Sequence, residues 1–402
     1  MSESLISITE ARERVLAAVT PLGTEKASID AALGRTLAGE VRATGNVPPF
    51  PSSAMDGYAV LAGSEGRRLR IIGESRAGTP STMTVGDGEA VRISTGAAVP
   101  AGATAVIPQE LVTLDGEDGI VTAAAVGPGD HIRGPGEDIR EGSLVLSPGA
   151  PLDPVALGAA VAAGAGELVV AVRPRVSVLC TGDELRAPGE PLAPGEIHNS
   201  NAPMLTGLGV RSGAMTAPAQ RLPDDRDATE RGIGGALRDA DVVIISGGVS
   251  VGPHDHVKPA LEKLGVAEIF WGVALQPGKP TWFGVLPDGP LVFGLPGNPV
   301  SAVVTFSLFV SPALAALQSS PPPAPPHAEA LLAVDVRRNP RREQAVRVTL
   351  AVRDGAVYAT PNGAQGSHIL SSLLGADALA IIPAGDGHIL AGAPVALAAL
   401  AG

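Results

Sequence analysis

Four glycine-containing turns crowd into one stretch of the chain: Thr181-Gly182-Asp183-Glu184, Ser246-Gly247-Gly248-Val249-Ser250-Val251-Gly252, Pro277-Gly278-Lys279-Pro280 and Leu295-Pro296-Gly297-Asn298-Pro299. Each lies near or just after an apolar run of strand type. Glycines let backbone N–H groups approach an anion, and the Ser246 and Ser250 hydroxyls can donate to it. The 29 basic residues include only four lysines, Lys26, Lys258, Lys263 and Lys279, so a lysine between two prolines in such a turn stands out. Glu184, Asp224 and Asp255 fall in or near the same predicted strand ends. Carboxylates gathered near phosphate commonly hold Mg2+. The plainer alternative stays open for each: Asp224 with its neighbour Asp225, and Asp255, as helix N-caps, and Glu184 as a solvated turn residue.

A second set of small and acidic residues precedes these turns. Ser53-Ala54-Met55-Asp56-Gly57-Tyr58-Ala59, Ser94-Thr95-Gly96 and Gly136-Glu137-Asp138 carry Asp56, Thr95 and Asp138. Toward the other end, Arg337, Arg338, Arg341, Arg342 and Arg347 form a basic cluster in an acidic protein, which reads as a solvated face or as an anion-binding surface.

The elements that must position these groups alternate. From Arg173 onward, strand Val176–Cys180, helix Ala202–Leu208, strand Val210–Ala217, helix Arg226–Leu237, strand Val242–Ser246 and helix Val257–Leu264 follow in turn. Strand Val266–Phe270, the pair Trp282–Leu286 and Leu291–Leu295, and a long helix after Pro299 complete the series. Repeated strand-then-helix order predicts a parallel sheet covered by helices, whose ligands bind outside the carboxyl ends of the strands. Before this, Ser7-Ile8-Thr9-Glu10 has capping-box spacing and opens a helix. Short alternating runs between 43 and 139, with Asp115-Gly116 as a turn, predict a β-rich module inserted before a helical stretch over 140–172 that would pack back on the first helix. Five prolines between Ser319 and Pro326 mark a stiff linker, and the strand-like runs beyond it predict a small barrel or sandwich. The resulting domains are 1–42 with 140–172, 43–139, 173–318 and 327–402.

Composition limits the function. The formal charge of −12 argues against a nucleic-acid binder. Cys180 is the only cysteine, which rules out a disulfide or Cys-based zinc cluster within one chain, fits a cytoplasmic protein, and makes a buried small hydrophobe the better reading than a nucleophile. The N-terminal residues lack the basic and apolar regions of a signal peptide. The uncharged stretch 299–317 is nearly long enough to span a bilayer, but its prolines, serines and threonine favour a buried helix, so no membrane association is expected. Seven of the ten aromatic residues fall between Phe270 and Phe309, where a core is the better reading than a stacking surface.

Taken in order, Ser53–Ala59, Ser94–Ala103, Gly136–Ile139, Thr181–Leu185, the Ser246 loop, Pro277–Pro280 and Leu295–Ser301 resemble the molybdopterin molybdenumtransferases of the MoeA type, which include the gephyrin E-domain. The resemblance spans nearly the whole chain. It implies an elongated multidomain chain: a partly helical domain built from two segments, an inserted β module, a mostly parallel α/β domain and a C-terminal β-barrel. It implies a homodimer whose cleft brings Asp56, Thr95 and Asp138 of one chain toward Glu184 and Asp255 of the other. The implied reaction inserts molybdenum from molybdate into adenylylated molybdopterin and releases AMP with Mg2+ assisting. Lys279, Ser250, Arg342 and the segment from Ser367 through Ser371 to Ser372 would hold oxyanion oxygens, and Glu184, Asp224 and Asp255 would hold metal or orient water. Ser246, Gly247, Gly248, Pro280, Pro296, Asn298, Pro299 and Ser301 complete the implied substrate site. A non-catalytic pterin-binding scaffold and the related adenylyltransferase step are the alternative functions, and a separate adenylyltransferase is a possible transient partner. Departures from the family pattern are Pro51-Ser52, Pro253-His254, Gln276 where many relatives carry lysine, and Ala345 where an aromatic is usual.

Overall fold

The computed structural model describes residues 5–248 and 256–401. Its contacts separate into two units. One holds the residues up to Glu25, Gly34–Thr36 and those from Ala171 onward; the other holds Lys26–Leu33 and Leu37–Val170.

In the first unit the alternating apolar runs form a seven-stranded sheet. Strands Met215–Thr216 and Gln220–Leu222 both pair with Arg175–Thr181, which is followed across the sheet by Val242–Ser246, Leu291–Leu295, Trp282–Val285 and Ala267–Trp271. The strands up to Leu291–Leu295 run parallel. The last two form antiparallel pairs because Trp282–Val285 and Leu291–Leu295 are joined by a short turn. Val242–Ser246 is buried throughout, as a central parallel strand covered on both faces must be. Helix Arg226–Asp239 is capped by Asp225, whose carboxylate accepts from Ala228 N–H at 2.8 Å. The predicted strand over Val210–Ala217 is instead divided: helix Asn201–Arg211 runs past Leu208, with Val210 56% exposed on its outer side.

The stretch Pro299–Leu317 is a continuous helix in three parts, Pro299–Thr305, a π-helical turn Phe306–Val310, and Ser311–Leu317. It is a core helix, with every residue from Val300 to Leu314 buried. Phe306 and Phe309 are fully enclosed, and Phe283 meets Phe293 with ring centroids 4.9 Å apart. The aromatic concentration is therefore largely core.

Helix Ile8–Ala17 starts as predicted: Ser7 Oγ accepts from Glu10 N–H at 3.1 Å. The reciprocal half of the capping box is absent because the Glu10 carboxylate takes a bond from Arg14 instead. The expectation that this helix packs with 140–172 is also corrected. Ile8, Ala11 and Val15 enter the same core as Phe306, Leu314 and Leu317; the helix's apolar stripe matches that surface.

Beyond the proline-rich linker, Glu329–Leu332, Glu343–Arg353, Ala356–Pro361, Ala378–Ile382 and Pro394–Ala399 close into a five-stranded barrel. Closure follows from Glu343–Arg353 pairing with both Ala356–Pro361 and Ala378–Ile382. Leu275–Gln276 pairs in parallel with the start of strand Glu343–Arg353, Leu275 opposite Glu343 and Gln276 opposite Gln344.

The second unit contains a six-stranded sheet in the order Ala105–Pro108, Gly57–Val60, Glu89–Ile93, Arg68–Ser75, Gly119–Thr122, Val112–Leu114. Alternation buries both its faces: Tyr58, Val60 and Ile107 point into one cluster, Ala59, Val91 and Val106 into another. Helix Pro154–Ala162, capped by Asp153, joins a third cluster with Leu37 and Val170.

Candidate active site

Strand direction decides which turns can meet. Cys180 pairs with Ser246, and Ser246 with Leu295, so the turns after these three strands leave the sheet on one edge. Trp282 lies opposite Gly294 in the antiparallel strand. That strand begins where its neighbours end, so the Pro277–Pro280 turn just before it emerges on the same edge. All four glycine turns thus belong to one side of the sheet.

Two of these turns touch. Gly247 N–H donates to Leu295 O at 3.0 Å. Gly247 and Gly248 take positive φ values of 92° and 63°. A side chain at either would also collide with Thr181, since an added Cβ would lie 2.8 or 2.9 Å from its Oγ1. Glycine is required here for conformation and for space. Asn201, the first residue of its helix and 8% exposed, fixes the spacing: its Nδ2 donates to Ser246 Oγ at 2.8 Å and to Gly297 O at 2.7 Å. Ser246 Oγ accepts there, which leaves its proton available to a ligand. Among the described residues Asn201 Oδ1 is buried without a partner.

Around these turns opens a cavity of about 720 Å³, lined by Glu184, Ser246, Gly247, Gly248, Asn298 and Pro299 among others. Six of the residues singled out from the sequence therefore share one space. The first turn is shaped for its acid, because a Cβ on Gly182 would fall 2.4 Å from Glu184 Oε2. Asp183 and Asp224 bond reciprocally, Asp183 N–H to Asp224 Oδ2 at 3.4 Å and Asp224 N–H to Asp183 Oδ1 at 3.2 Å. This joins the turns after the first and second parallel segments and decides one open alternative: Asp225, not Asp224, caps the following helix. Ser250 and Asp255 lie outside the described residues. Pro296 is buried behind the cavity and Ser301 is buried in the helix.

Lys279 is exposed and Pro280 half-buried. The Lys279 carbonyl accepts from Val273 N–H at 3.0 Å, and the neighbouring Ala274 carbonyl accepts from Glu343 N–H at 2.8 Å. Consecutive residues thus carry the lysine turn and the residue following Arg342. Ser367 reaches the region through its backbone, its carbonyl accepting from Val300 N–H at 3.2 Å. Ser371 is exposed, while the adjacent Ser372 is buried.

Arg347 corrects the reading of the arginine cluster as a single surface. It is 1% exposed, and its guanidinium donates to Ser372 Oγ at 3.0 and 3.2 Å and to Ala364 O and Gly366 O at 3.4 Å. Burial lowers its pKa to about 10, so it remains a cation at neutral pH. It braces the loop whose His368 and Leu370 line the cavity. Cys180 also lines it but is 1% exposed, and burial raises its thiol pKa against a bond from Asn199, the opposite of nucleophile activation.

In the second unit, Asp56 and Thr95 meet directly. Asp56 Oδ1 accepts from Thr95 N–H at 2.6 Å and from its hydroxyl at 3.0 Å, which holds the carboxyl below the usual carboxylate range. Asp138 lines a different cavity, of about 700 Å³, together with Phe50, Gly96 and Arg133.

Sequence reasoning missed His198, Asn199 and Asn201 as cavity residues; His368 and Leu370 fall inside the expected Ser367–Ser372 segment, though neither was singled out. The run His198-Asn199-Ser200-Asn201 does signal a helix start, but nothing local shows that Asn201 spans two other turns.

Comparison with known proteins agrees with this arrangement. Residues 6–164 match the model for the MoeA N-terminal region (domain I and II), residues 177–316 the model described as "probable molybdopterin binding domain", and residues 329–400 the MoeA C-terminal region (domain IV). The chain is 37% identical to the molybdopterin molybdenumtransferase of Haemophilus influenzae, covering 98% of both chains. It is 34% identical to that of Bacillus subtilis, over 94% of this chain and 90% of the relative. A crystal structure of the molybdopterin biosynthesis MoeA protein of Pyrococcus horikoshii superposes with a TM-score of 0.79 at 32% identity, covering 98% of this chain and 99% of the other. With one cavity lined by three of the four glycine turns and with identity at this level along the full length, the chain belongs to the molybdopterin molybdenumtransferase family.

Proposed function

We propose that this protein inserts molybdenum from molybdate into adenylylated molybdopterin and releases AMP. The observation that supports this best is the single sheet edge at which all four turns emerge, with a cavity of about 720 Å³ lined by Glu184, Ser246, Gly247, Gly248 and Gly297–Pro299; the Lys279 turn leaves the same edge outside that lining. Such a space suits a nucleotide-linked pterin. Lys279, Arg342 and the Ser367 loop are the groups for oxyanion oxygens, with Ser250 as a further donor. Ser246 and the backbone of Gly247 and Gly248 serve the phosphates. Asp56, Thr95 and Asp138 are assigned to the reaction on the family pattern.

Mg2+ is part of this reading. Among the described residues no three His, Cys, Asp or Glu side chains are placed to hold a metal by themselves. Glu184 and Asp224 are exposed and in no ion pair among those residues. Hard oxygen donors of this kind fit Mg2+, which usually takes one or two protein carboxylates and completes its shell with water and phosphate oxygens. Glu184, Asp224 and Asp255 would hold it, and it would neutralise charge on the phosphoanhydride. We also assign a homodimer, a cytoplasmic location and transient contact with an adenylyltransferase. Light scattering is expected to give about twice the 40.2 kDa chain mass, as a two-fold dimer requires.

The test is turnover. Purified protein with Mg2+, molybdate and adenylylated molybdopterin is expected to release AMP and form molybdenum cofactor. Glu184→Gln should lower that rate by about 100-fold or more with an unchanged melting curve, the usual scale for losing a positioned acid or base. Undiminished turnover by the variant would remove Glu184 from the site. No turnover by the unaltered protein, with saturable ligand binding, would favour the scaffold role.

A further inference from the structure

The turn carrying Arg341 and Arg342 is organised by one side chain. Asn339 Oδ1 accepts from Arg341 N–H at 2.9 Å and from Arg342 N–H at 3.1 Å. The backbone N–H of Asn339 donates to Gln344 Oε1 at 2.9 Å. This pattern is a local Asx-type turn and sets where the two arginines start. What remains of Asn339 points away from its own turn: Nδ2 donates to Gln276 Oε1 at 2.6 Å. Gln276 is the residue that opens the Pro277-Gly278-Lys279-Pro280 turn, and it pairs with Gln344 in the short parallel ladder. The arginine turn is thereby clasped to the lysine turn by one side-chain bond in addition to the ladder.

Charge gives the clasp a purpose. Among the described residues Lys279, Arg341 and Arg342 make no ion pair. The nearest acid in sequence, Glu343, is turned to another use, since its Oε2 accepts from Ile8 N–H at 3.3 Å. Three cations on two joined turns without a counter-charge repel one another where they approach, and a glutamine–asparagine bond fastens the turns without adding charge.

We propose that Gln276 and Asn339 are positioning residues that hold Arg341 and Arg342 beside Lys279 as one site for a tetrahedral oxyanion. The proposal rests on the molybdate reading above and adds Arg341 and the amide pair to it. Neither amide needs to touch the anion. Their effect is to fix the arginines before the anion arrives, which lowers the ordering cost of binding.

The experiment measures molybdate-dependent turnover together with direct binding of molybdate, and of tungstate as a probe, by calorimetry. Gln276→Leu removes the acceptor and is expected to raise the KM for molybdate by about 10-fold, the scale of one charge-assisted hydrogen bond, with kcat within about 3-fold of the unaltered protein. Calorimetric affinity should fall in parallel. Asn339→Asp keeps the acceptor for Arg341 and Arg342 N–H, and the Gln276 amide can turn to donate to it, but its negative charge opposes the oxyanion, so its KM should rise at least as much as in Gln276→Leu with the melting curve unchanged. An unchanged KM in Gln276→Leu would overturn the proposal. So would a fall in kcat and melting temperature without a change in KM, because that marks a merely structural bond. If the unaltered protein neither uses nor binds molybdate, the functional reading itself fails, which is a different result from a variant that behaves like the unaltered protein.

Discussion

Individual side chains show how environment separates groups of the same type. Asp56 is exposed, yet two bonds from Thr95 to one oxygen keep its carboxyl low, the backbone bond contributing most. A depressed folded pKa means the contribution to stability is complete above the unfolded value, about 3.9, and is lost as pH falls through the lower folded value. At neutral pH Asp56 is therefore a fixed acceptor and not a proton donor. Thr95→Val keeps the N–H and removes the hydroxyl, so the Asp56 titration midpoint, followed by carboxyl carbon NMR, should rise part of the way toward about 3.9. A midpoint that does not move would show that the hydroxyl has no role in holding the charge. Arg347 shows the reverse arrangement: a cation taken out of water and kept there by one hydroxyl and two carbonyls. It counts among five clustered arginines in the sequence, and only tertiary burial separates it from Arg341 and Arg342.

At the level of elements, the same arginine joins barrel to loop. Strand Glu343–Arg353 carries Arg347, and its bonds to Ser372, Ala364 and Gly366 define the segment that supplies His368 and Leu370 to the cavity. Arg347→Met fills most of the volume but leaves those carbonyls unpaired, so a loss of about 2–4 kcal/mol is expected from bonds to a buried charged group. Hydrogen exchange should quicken first over 363–372, while the strand Ala378–Ile382 stays protected. Uniform quickening across the barrel would mean that Arg347 supports the barrel as a whole and not this loop. Elements of this kind were only partly legible in the sequence. Apolar runs closed by glycine revealed the strands Arg175–Thr181, Val242–Ser246 and Leu291–Leu295 because period and turn chemistry are local. The strand Pro394–Ala399 was not identified, since its mostly small residues carry little β signal of their own and gain it from pairing with Ala378–Ile382. The strand expected over Val210–Ala217 is real only at Met215–Thr216, because an apolar residue on the outer face of a helix end looks like the start of a strand. Asn201 was invisible for another reason: what it bonds lies 45 and 96 residues away.

On the scale of the whole molecule, each unit has a core of its own. Phe283, Phe293 and Phe309 lie in the first unit's largest cluster, and the barrel has a separate cluster around Val348 and Ala380. Tyr58, Val60, Ile107 and Ile120 form one of the second unit's clusters. Cooperativity follows shared packing, so a cavity in one unit should lower that unit's stability first. Ile107→Ala and Phe293→Ala each remove a fully buried side chain, at an expected cost of about 2–5 kcal/mol. Hydrogen exchange read segment by segment should place the first loss in Gly57–Val60 and Glu89–Ile93, strands of Ile107's own sheet, and the second in Val242–Ser246 and Leu291–Leu295. Activity gives an independent check, because each unit carries a residue assigned to the proposed reaction, Asp56 in one and Glu184 in the other. Thermal inactivation should then follow whichever unit the substitution weakened, at the temperature where its own strands lose protection. If either variant instead brings both sets of strands down together in one transition, the two cores unfold as one, and the division of labour between them is not an energetic one.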